Sequence, residues 1–323
     1  MSGMKRRIGS IATALMMVQL ASAMPGLAES WPQRSVRLIV QVGAGSANDV
    51  MARLYAERLA ERWKQPVYVE NRPGADGLIG TAAFANMHDP HTLLFSMAAP
   101  ISVYPYIYAK LGYDPTQDIV PVARAAETFV AVATAASSNI GSLDELVALA
   151  RAQPGKLNYF AGVGALPTLF AGFLKSSGLD MVSISYREAN LALQDIATGR
   201  LDLAVATLGF LLAPAQSGKV RVLAVTNEIR APLLPEIPTA VQVGHSLLAF
   251  EGLMGFFGPR GLSADIRDRI AADVCAVAAD PEFAKRLIPL AAVARGGTPA
   301  EFAAAIEVQR AKMASIITML SGK

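Results

Sequence analysis

The sequence predicts an α/β fold, and three observations predict it. Short runs rich in β-branched residues alternate with amphipathic helical patterns almost to the end of the chain. Glycine-bearing turns join several of the strands to the helices that follow, as in α/β sheets whose loops bind a ligand at the strand carboxyl ends. A hydrophobic content of 53% over 323 residues is enough for two cores. The alternation favours parallel sheets with helices on both faces.

Apolar and β-branched runs predict the strands, and amphipathic runs between them predict the helices. The predicted strands cover residues 36–42, 67–70, 92–97, 119–125, 129–134, 157–160, 182–186, 201–206, 220–226 and 250–257. The predicted helices cover residues 49–63, 78–87, 167–176, 189–198, 263–279 and 299–320. A further helix begins after Ser142, because Ser142 and Glu145 have the spacing of a capping box.

The first residues have the pattern of a secretory signal. Residues 5–7 are basic, residues 8–20 are apolar and uncharged, and residues 21–23 (Ala-Ser-Ala) form a small-residue cleavage site. The apolar run is shorter than the ~20 residues that a membrane-spanning helix needs. We therefore expect a signal peptide over residues 1–28, cleaved after residue 23 or 28, and an exported mature protein.

Composition narrows the class of partner. The chain has 29 basic and 26 acidic residues, and the leader carries three basic residues and no acid. The mature protein then has 26 of each sign and is nearly neutral, which argues against nucleic acid or an acidic membrane surface as partner. Cys275 is the only cysteine of the chain and forms no internal disulfide.

Two glycine turns are candidate anion sites. Gly43–Asp49 and Gly162–Thr168 each join a predicted strand to a predicted helix. Backbone N–H groups and the helix dipole at such a junction favour a negative charge. The alternative for the first turn is that Asn48 or Asp49 only caps the helix. For the second turn the alternative is a plain strand-to-helix connection.

Other motifs in the sequence give little support for a cofactor, a metal site or a catalytic centre. Residues 74–80 read G-x-x-G-x-x-G, which differs from the dinucleotide fingerprint G-x-G-x-x-G. Residues 88–91 (His-Asp-Pro-His) fit a turn better than a metal site, because the chain has three histidines in all. No nucleophile elbow, Walker loop or H-E-x-x-H motif is present. We expect no catalytic residue, no metal and no cofactor.

Residues 66–80, P-V-Y-V-E-N-R-P-G-A-D-G-L-I-G, carry a resemblance to a known family. With Gly45-Ser46-Ala47-Asn48-Asp49 upstream, they resemble the solute receptors of tripartite tricarboxylate transporters, or Bug-type periplasmic binding proteins. The resemblance implies a two-lobed type II periplasmic binding fold with a ligand cleft between the lobes. It also implies that domain 1 comprises residues 29–128 and 253–323, and domain 2 residues 129–252. The chain crosses between them near residues 127–134 and 249–257.

The sequence departs from the family at positions near the ligand. Ser46 replaces a glycine of the first turn, and Ala165 and Thr168 replace a hydroxyl residue and a histidine of the second. Glu188 stands where glycine is usual, and Ala206 where an acidic residue is usual. These departures remove polar contacts and add one negative charge, so we expect a monocarboxylate with an apolar or aromatic body. The alternative is that Thr168, Ser46 and ordered water restore the lost hydrogen bonds and a dicarboxylate binds.

The resemblance, transferred position by position, implies a ligand-binding set. It consists of Gly43, Ala44, Gly45, Ser46, Asn48, Asp49, Ser96, Ala98, Gly164, Ala165, Thr168, Tyr186, Ala189, Asn190, Ala206 and Thr207.

The implied function is capture of a small organic acid in the periplasm by a monomeric receptor, for the membrane permease subunits of a tripartite transporter. One alternative is the ligand-sensing subunit of a signalling system, with a sensor kinase as partner. Another is a periplasmic enzyme on the same fold, for which the sequence supplies few candidate bases. The sequence does not identify the ligand.

Overall fold

The structure is a computed structural model that describes residues 31–322. The residues from Ser35 onward form one compact unit. The predicted signal peptide, residues 1–28, lies outside the described residues.

Most of the predicted strands and helices are present with small differences in their bounds, and several elements were not predicted. The strands are β1 (Val36–Val40), β2 (Val67–Asn71), β3 (Thr92–Met97), β4 (Ile119–Thr128), β5 (Val130–Ala135), β6 (Asn158–Ala161), β7 (Val182–Ser183), β8 (Leu203–Thr207), β9 (Val220–Val225), β10 (Gly252–Pro259) and β11 (Ala292–Gly297). The helices are α1 (Ala47–Trp63), α2 (Leu78–Ala85), α3 (Ala99–Ser102), α4 (Tyr104–Ile107), α5 (Leu143–Ala152), α6 (Leu166–Ser177), α7 (Ala189–Ala197), α8 (Leu208–Gln216), α9 (Ala264–Ala278), α10 (Pro281–Leu287) and α11 (Pro299–Ser321).

The strands form two sheets. The first has the order β11-β4-β10-β3-β1-β2, and the second has the order β7-β6-β8-β5-β9. In the first sheet β1, β2 and β3 are parallel, whereas β10 is antiparallel to both β3 and β4. In the second, β6, β7 and β8 are parallel, and β5 is antiparallel to β8 and β9. The prediction of parallel sheets was therefore wrong for part of each sheet, because alternation in sequence records the type of each element and not its direction.

The chain passes from the first sheet to the second through Phe129, which joins β4 directly to β5 and is buried. On its return the chain passes through Phe250, which pairs with Thr226 directly after β9. The Phe250 N–H donates to the Thr226 carbonyl at 2.9 Å, and the Thr226 hydroxyl donates to the Phe250 carbonyl at 2.8 Å. Both connections lie within the crossings expected from the sequence. The domain boundaries at 128/129 and 252/253 stay a prediction.

Helix α11 contributes to both cores. Its first half places Phe302 and Ile306 in the core of the first sheet, against Phe257. Its second half places Met313 and Ile316 in a core that covers one face of the second sheet. This 23-residue helix buries apolar side chains against one sheet with its first half and against the other with its second half, and so links the two sheets.

Some elements differ from the prediction for identifiable reasons. Strand β7 is two residues long instead of five, and its residues are exposed at the sheet edge. Strand β11 was missed, because its two terminal glycines are poor strand formers. Helix α8 was missed because it contains Pro214, which weakens a helical pattern.

Candidate functional site

A cavity of about 440 Å³ lies where the carboxyl ends of strands from both sheets meet. The loops after β1, β2 and β3 line it from the first sheet, and the loops after β6 and β8 line it from the second. This is the position at which open α/β sheets bind ligands. The lining residues are Gln41, Val42, Gly43, Asn48, Pro73, Gly74, Asp76, Gly77, Met97, Ala99, Pro100, Tyr104, Val130, Phe160, Gly162, Val163, Gly164, Ala165, Leu166, Ala189, Ala206, Thr207, Phe210 and Phe250.

The loop after β1 is braced by a buried carboxylate. Asp49 accepts hydrogen bonds from the Gly45 N–H at 2.9 Å, from Arg53 at 3.0 Å and from Asn71 at 2.8 Å. Burial by itself raises the pKa of Asp49, but these hydrogen bonds outweigh it and hold the pKa below its ordinary value. The Ser46 hydroxyl caps α1 through the Asp49 N–H. The side chain of Asp49 therefore holds the loop in place and does not line the cavity.

The loop after β6 presents free backbone donors. The Gly162 N–H is bonded to the Val205 carbonyl at 2.8 Å, which anchors the start of the loop. Gly164 has a φ of 72°, a conformation that side-chain-bearing residues rarely adopt. The N–H groups of Gly164 and Ala165 have no hydrogen-bond partner within residues 31–322. They lie at the start of α6 and at the cavity, so they can donate to an anion.

The glycine-rich loop after β2 is a packing feature. A Cβ atom at Gly77 would lie 2.8 Å from the side chain of Gln41, and one at Gly80 would lie 2.6 Å from the Arg72 carbonyl oxygen. Gln41 lines the cavity, and its side chain accepts from the Thr81 hydroxyl at 2.7 Å. These glycines therefore let the start of α2 pack closely against the residues that follow β1 and β2.

The same loop places an acidic side chain at the cavity. Ala75 and Asp76 have φ angles of 47° and 53°, which is uncommon for two consecutive residues other than glycine. The Tyr104 hydroxyl donates to the Asp76 carbonyl at 2.7 Å, and the Tyr108 hydroxyl donates to the Asp76 carboxylate at 2.8 Å. These contacts hold Asp76 in its unusual backbone conformation.

Most helices that begin at the cavity lack a side-chain cap. In the described part of the chain, no side chain accepts a hydrogen bond from the first turn of α2, α6, α7 or α8. The residues at these starts, Gly77, Ala165, Ala189 and Thr207, all line the cavity. Helix N-termini carry partial positive charge, and four of them converge here. The arrangement favours an anion without any basic side chain.

The structure brings part of the predicted set together. Seven of its residues line the cavity, namely Gly43, Asn48, Gly164, Ala165, Ala189, Ala206 and Thr207. The other nine lie outside the lining: Ala44, Gly45, Ser46, Asp49, Ser96, Ala98, Thr168, Tyr186 and Asn190.

Several of these nine side chains have other partners. The Ser96 hydroxyl donates to the Met97 carbonyl, and the Tyr186 hydroxyl donates to Asp195. Glu188, expected to add a negative charge near the ligand, is exposed and also lies outside the lining.

Sequence reasoning missed most of the apolar lining. Met97, Tyr104, Phe160, Phe210 and Phe250 come from five separate elements or connections, and no motif links them. Asp76 was missed although it lies inside a quoted motif. Gly74 and Gly77, which flank this position in the motif, both have positive φ and mark a tight turn. The sequence signal for Asp76 was therefore a polar side chain within a glycine-bounded turn.

The described residues show neither a metal-binding cluster nor a membrane-spanning helix. No group of three or more His, Cys, Asp or Glu side chains in residues 31–322 is placed to hold a metal ion. Over the same residues, no helix combines the length and apolar character needed to cross a membrane. The Asp89 carboxylate accepts from the His91 N–H and from the Thr92 hydroxyl, which is the geometry of a turn.

Comparison with known proteins identifies the family. Residues 51–320 match the family described as tripartite tricarboxylate transporter family receptor. A UPF0065 protein of Bordetella bronchiseptica is 32% identical over 305 residues, which are 93% of this chain and 90% of the relative.

Two solved structures have the same fold. R. palustris Rpa4515 with adipate is 26% identical, with a TM-score of 0.79 over 90% of this chain and 98% of that one. The periplasmic binding protein BugD is 25% identical, with a TM-score of 0.74 over 89% of this chain and 98% of that one. The predicted two-lobed periplasmic binding fold is thereby confirmed. The chain belongs to the tripartite tricarboxylate transporter receptor family.

Proposed function

We propose that this chain is an exported receptor that binds a small monocarboxylate with an apolar body and delivers it to a membrane permease. The observation that carries the proposal is the set of free N–H donors and uncapped helix starts at the cavity. The free donors and the starts of α6, α7 and α8 lie at the second sheet, the start of α2 lies at the first, and together they favour a negative charge. The similarity to R. palustris Rpa4515 with adipate supports a carboxylate as ligand.

The remaining lining favours an apolar body. Phe160, Phe210, Phe250, Met97 and Leu166 surround the space that the polar loops leave. No arginine, lysine or histidine lines the cavity in the part of the chain that the structure describes. A second carboxylate there lacks a compensating partner, and burying an unpaired carboxylate costs several kcal/mol.

The proposal includes the compartment and the domain organisation. Family membership and the leader pattern support export by a signal peptide of residues 1–28 and delivery to a permease. Domain 1 comprises residues 29–128 and 253–323, and domain 2 comprises residues 129–252. The mature N-terminus, read by mass spectrometry of periplasmic protein, should lie between residues 24 and 31. An intact Met1 there contradicts export with cleavage.

Calorimetry with two classes of acid tests the ligand class. Benzoate-like monocarboxylates should bind to the mature protein and raise its melting temperature by mass action. Succinate and citrate should bind far more weakly, because their additional carboxylates have no partner. Tight binding of succinate or citrate together with no binding of the apolar acids overturns the monocarboxylate assignment. Binding of no carboxylate at all overturns the receptor function as proposed.

A further inference from the structure

We propose that Asp76 selects ligands that carry a positively charged or hydrogen-bond-donating group in addition to their carboxylate. The preferred ligand class is then a zwitterionic acid, such as an amino acid with an apolar spacer. This inference rests on the proposed function, in which backbone N–H groups bind the carboxylate.

Asp76 is the only charged residue in the lining of the cavity among residues 31–322, and it is exposed. No basic side chain forms an ion pair with it in that part of the chain. Its charge is therefore not neutralised by the protein. A carboxylate at the edge of a cleft attracts a ligand cation and repels a ligand anion.

The position of the Asp76 carboxylate is fixed by two tyrosines. Tyr108 donates to the side chain at 2.8 Å, and Tyr104 donates to the backbone carbonyl at 2.7 Å. The two rings pack edge to face with centroids 5.0 Å apart. Burial, together with the hydrogen bond to Asp76, raises the pKa of Tyr108 to about 12, so the phenol stays protonated and continues to donate. The second carboxylate oxygen has no partner within residues 31–322.

The backbone supports a specific role for this side chain. Ala75 and Asp76 both have positive φ, a conformation that is strained for residues with a side chain and that recurs at ligand-binding sites. A Cβ atom at Gly164, in the loop after β6, would lie 3.5 Å from the Tyr104 hydroxyl. Asp76 is thus linked through Tyr104 to the loop that offers free N–H donors. One ligand in the cavity can therefore contact donors and carboxylate together.

Calorimetry on the mature protein with two matched sets of acids tests the inference. The first set is hexanoate, 6-aminohexanoate and adipate, and the second is benzoate, 4-(aminomethyl)benzoate and terephthalate. Within each set the acids differ only at the end remote from the shared carboxylate. The amino acid should bind about tenfold more tightly than the apolar acid, and the diacid about tenfold more weakly, as expected for one charge pair near a protein surface.

The variant Asp76→Asn tests whether the preference for amino acids over diacids depends on this residue. Asparagine adopts positive φ readily and can still accept from Tyr108, so the variant should fold normally. It should lose the preference for the amino acids, gain about tenfold for the diacids, and bind hexanoate and benzoate as before. Glu188→Gln is the control, because Glu188 is an exposed acid near the cleft that does not line the cavity. It should change none of these affinities.

The outcomes separate the two proposals. Binding of the apolar acids with no preference for the amino acids, or a preference that survives in Asp76→Asn, overturns the role of Asp76 and leaves the receptor function standing. An equal effect of Glu188→Gln also overturns it, because the preference then reflects the general charge of the cleft. Failure of all six acids to bind the wild type removes the proposed function and this inference with it.

Discussion

Helix starts at the cavity differ from helix starts elsewhere. Helices α5, α9, α10 and α11 begin away from the cavity, and each has a side chain that accepts from a first-turn N–H. These caps are Ser142, Ser263, Asp280 and Thr298. Helices α2, α6, α7 and α8 begin at the cavity, and none of them has such a cap in the described chain. Side chains therefore cap the helix starts remote from the cavity, whereas these four starts at the cavity are left without a side-chain cap and with partial positive charge facing the ligand space.

Helix α1 is the exception, and it shows that the two sides of the cavity are built differently. It begins at the cavity, yet Ser46 caps it and Asp49 braces the preceding loop. The loop before α6 has no such side chain and depends on the backbone conformation of Gly164. The side of the first sheet is therefore held by side-chain hydrogen bonds, and the side of the second by backbone geometry.

The largest effect is expected at Gly164. Gly164→Pro removes an N–H donor and imposes a φ near −65° where the loop has 72°. Loss of a hydrogen bond to a charged ligand group together with displacement of the loop should weaken carboxylate binding at least about 100-fold. Calorimetry with the best-binding acid measures the loss.

Gly178→Pro is the matched control for this variant. Gly178 lies at the other end of α6 with a φ of 63° and does not line the cavity. Both variants should lower the melting temperature, but only Gly164→Pro should lose affinity. If Gly164→Pro binds acids within about threefold of wild type, the free donors of this loop are not the anion site.

Thr207 allows a capping residue to be added where the chain has none. Thr207 has extended backbone angles at the start of α8 and lines the cavity. Thr207→Asp should cap the helix and raise stability by up to ~1 kcal/mol. It also adds a charge that repels a bound carboxylate by roughly 3 kcal/mol at about 5 Å, for an effective dielectric constant near 20.

We therefore expect a gain in melting temperature together with a loss of affinity of roughly 100-fold for Thr207→Asp. Thr207→Asn is the neutral counterpart and should cap the helix with a smaller loss. A Thr207→Asp variant that keeps wild-type affinity shows that the start of α8 takes no part in anion binding.

The sequence predicted most of the elements, and part of the expected ligand-binding set lies at one cavity. Gly43 and Gly164 of that set line the cavity, and a glycine turn after a strand is a local pattern that spacing can reveal. Asp49 is a polar residue that the sequence placed in the ligand-binding set. Its carboxylate instead accepts hydrogen bonds from Arg53 and Asn71 and braces the loop after β1. Which of two adjacent polar residues faces a cavity depends on such contacts, and spacing does not encode them.

The direction of strands and the apolar lining escaped prediction for a similar reason. Phe160 and Phe250 look like ordinary core residues in sequence, and both do pack against a core. Both also line the cavity, Phe160 from the carboxyl end of β6 and Phe250 from the second crossing between the sheets. Strand β5, which directly follows the first crossing, runs antiparallel to β8. The alternation of strands and helices in the sequence does not determine the direction of a strand.

Asp49→Asn tests the brace of the first loop. The pKa of Asp49 lies below its ordinary value of 3.8 because its hydrogen bonds outweigh the opposing effect of burial. Its contribution to stability is therefore fully present above that ordinary value and is lost as pH falls through the lower folded-state value. At pH 7 the substitution should destabilise the protein by about 1–3 kcal/mol, since it weakens charged hydrogen bonds in a buried site.

Chemical denaturation at several pH values measures this effect. The wild type should lose stability below about pH 4, and Asp49→Asn should lose less over the same range. Affinity for acids should fall less than in Gly164→Pro, because Asp49 does not line the cavity. Equal slopes of stability against pH for the two proteins contradict a bracing role for the carboxylate.

The smallest effect is expected at the capped start of α11. Thr298 accepts from the Glu301 N–H, while the Glu301 carboxylate accepts from the Thr298 N–H, which completes a capping box. Thr298→Ala removes the hydroxyl acceptor and should cost about 1 kcal/mol of stability. Thr298→Ser keeps the acceptor and should stay near wild type. Neither variant should change affinity for any acid by more than the error of calorimetry, because no residue at this start lines the cavity. A loss of affinity in Thr298→Ala would mean that caps remote from the cavity also influence binding, and the contrast between the two groups of helix starts would then not separate stability from function.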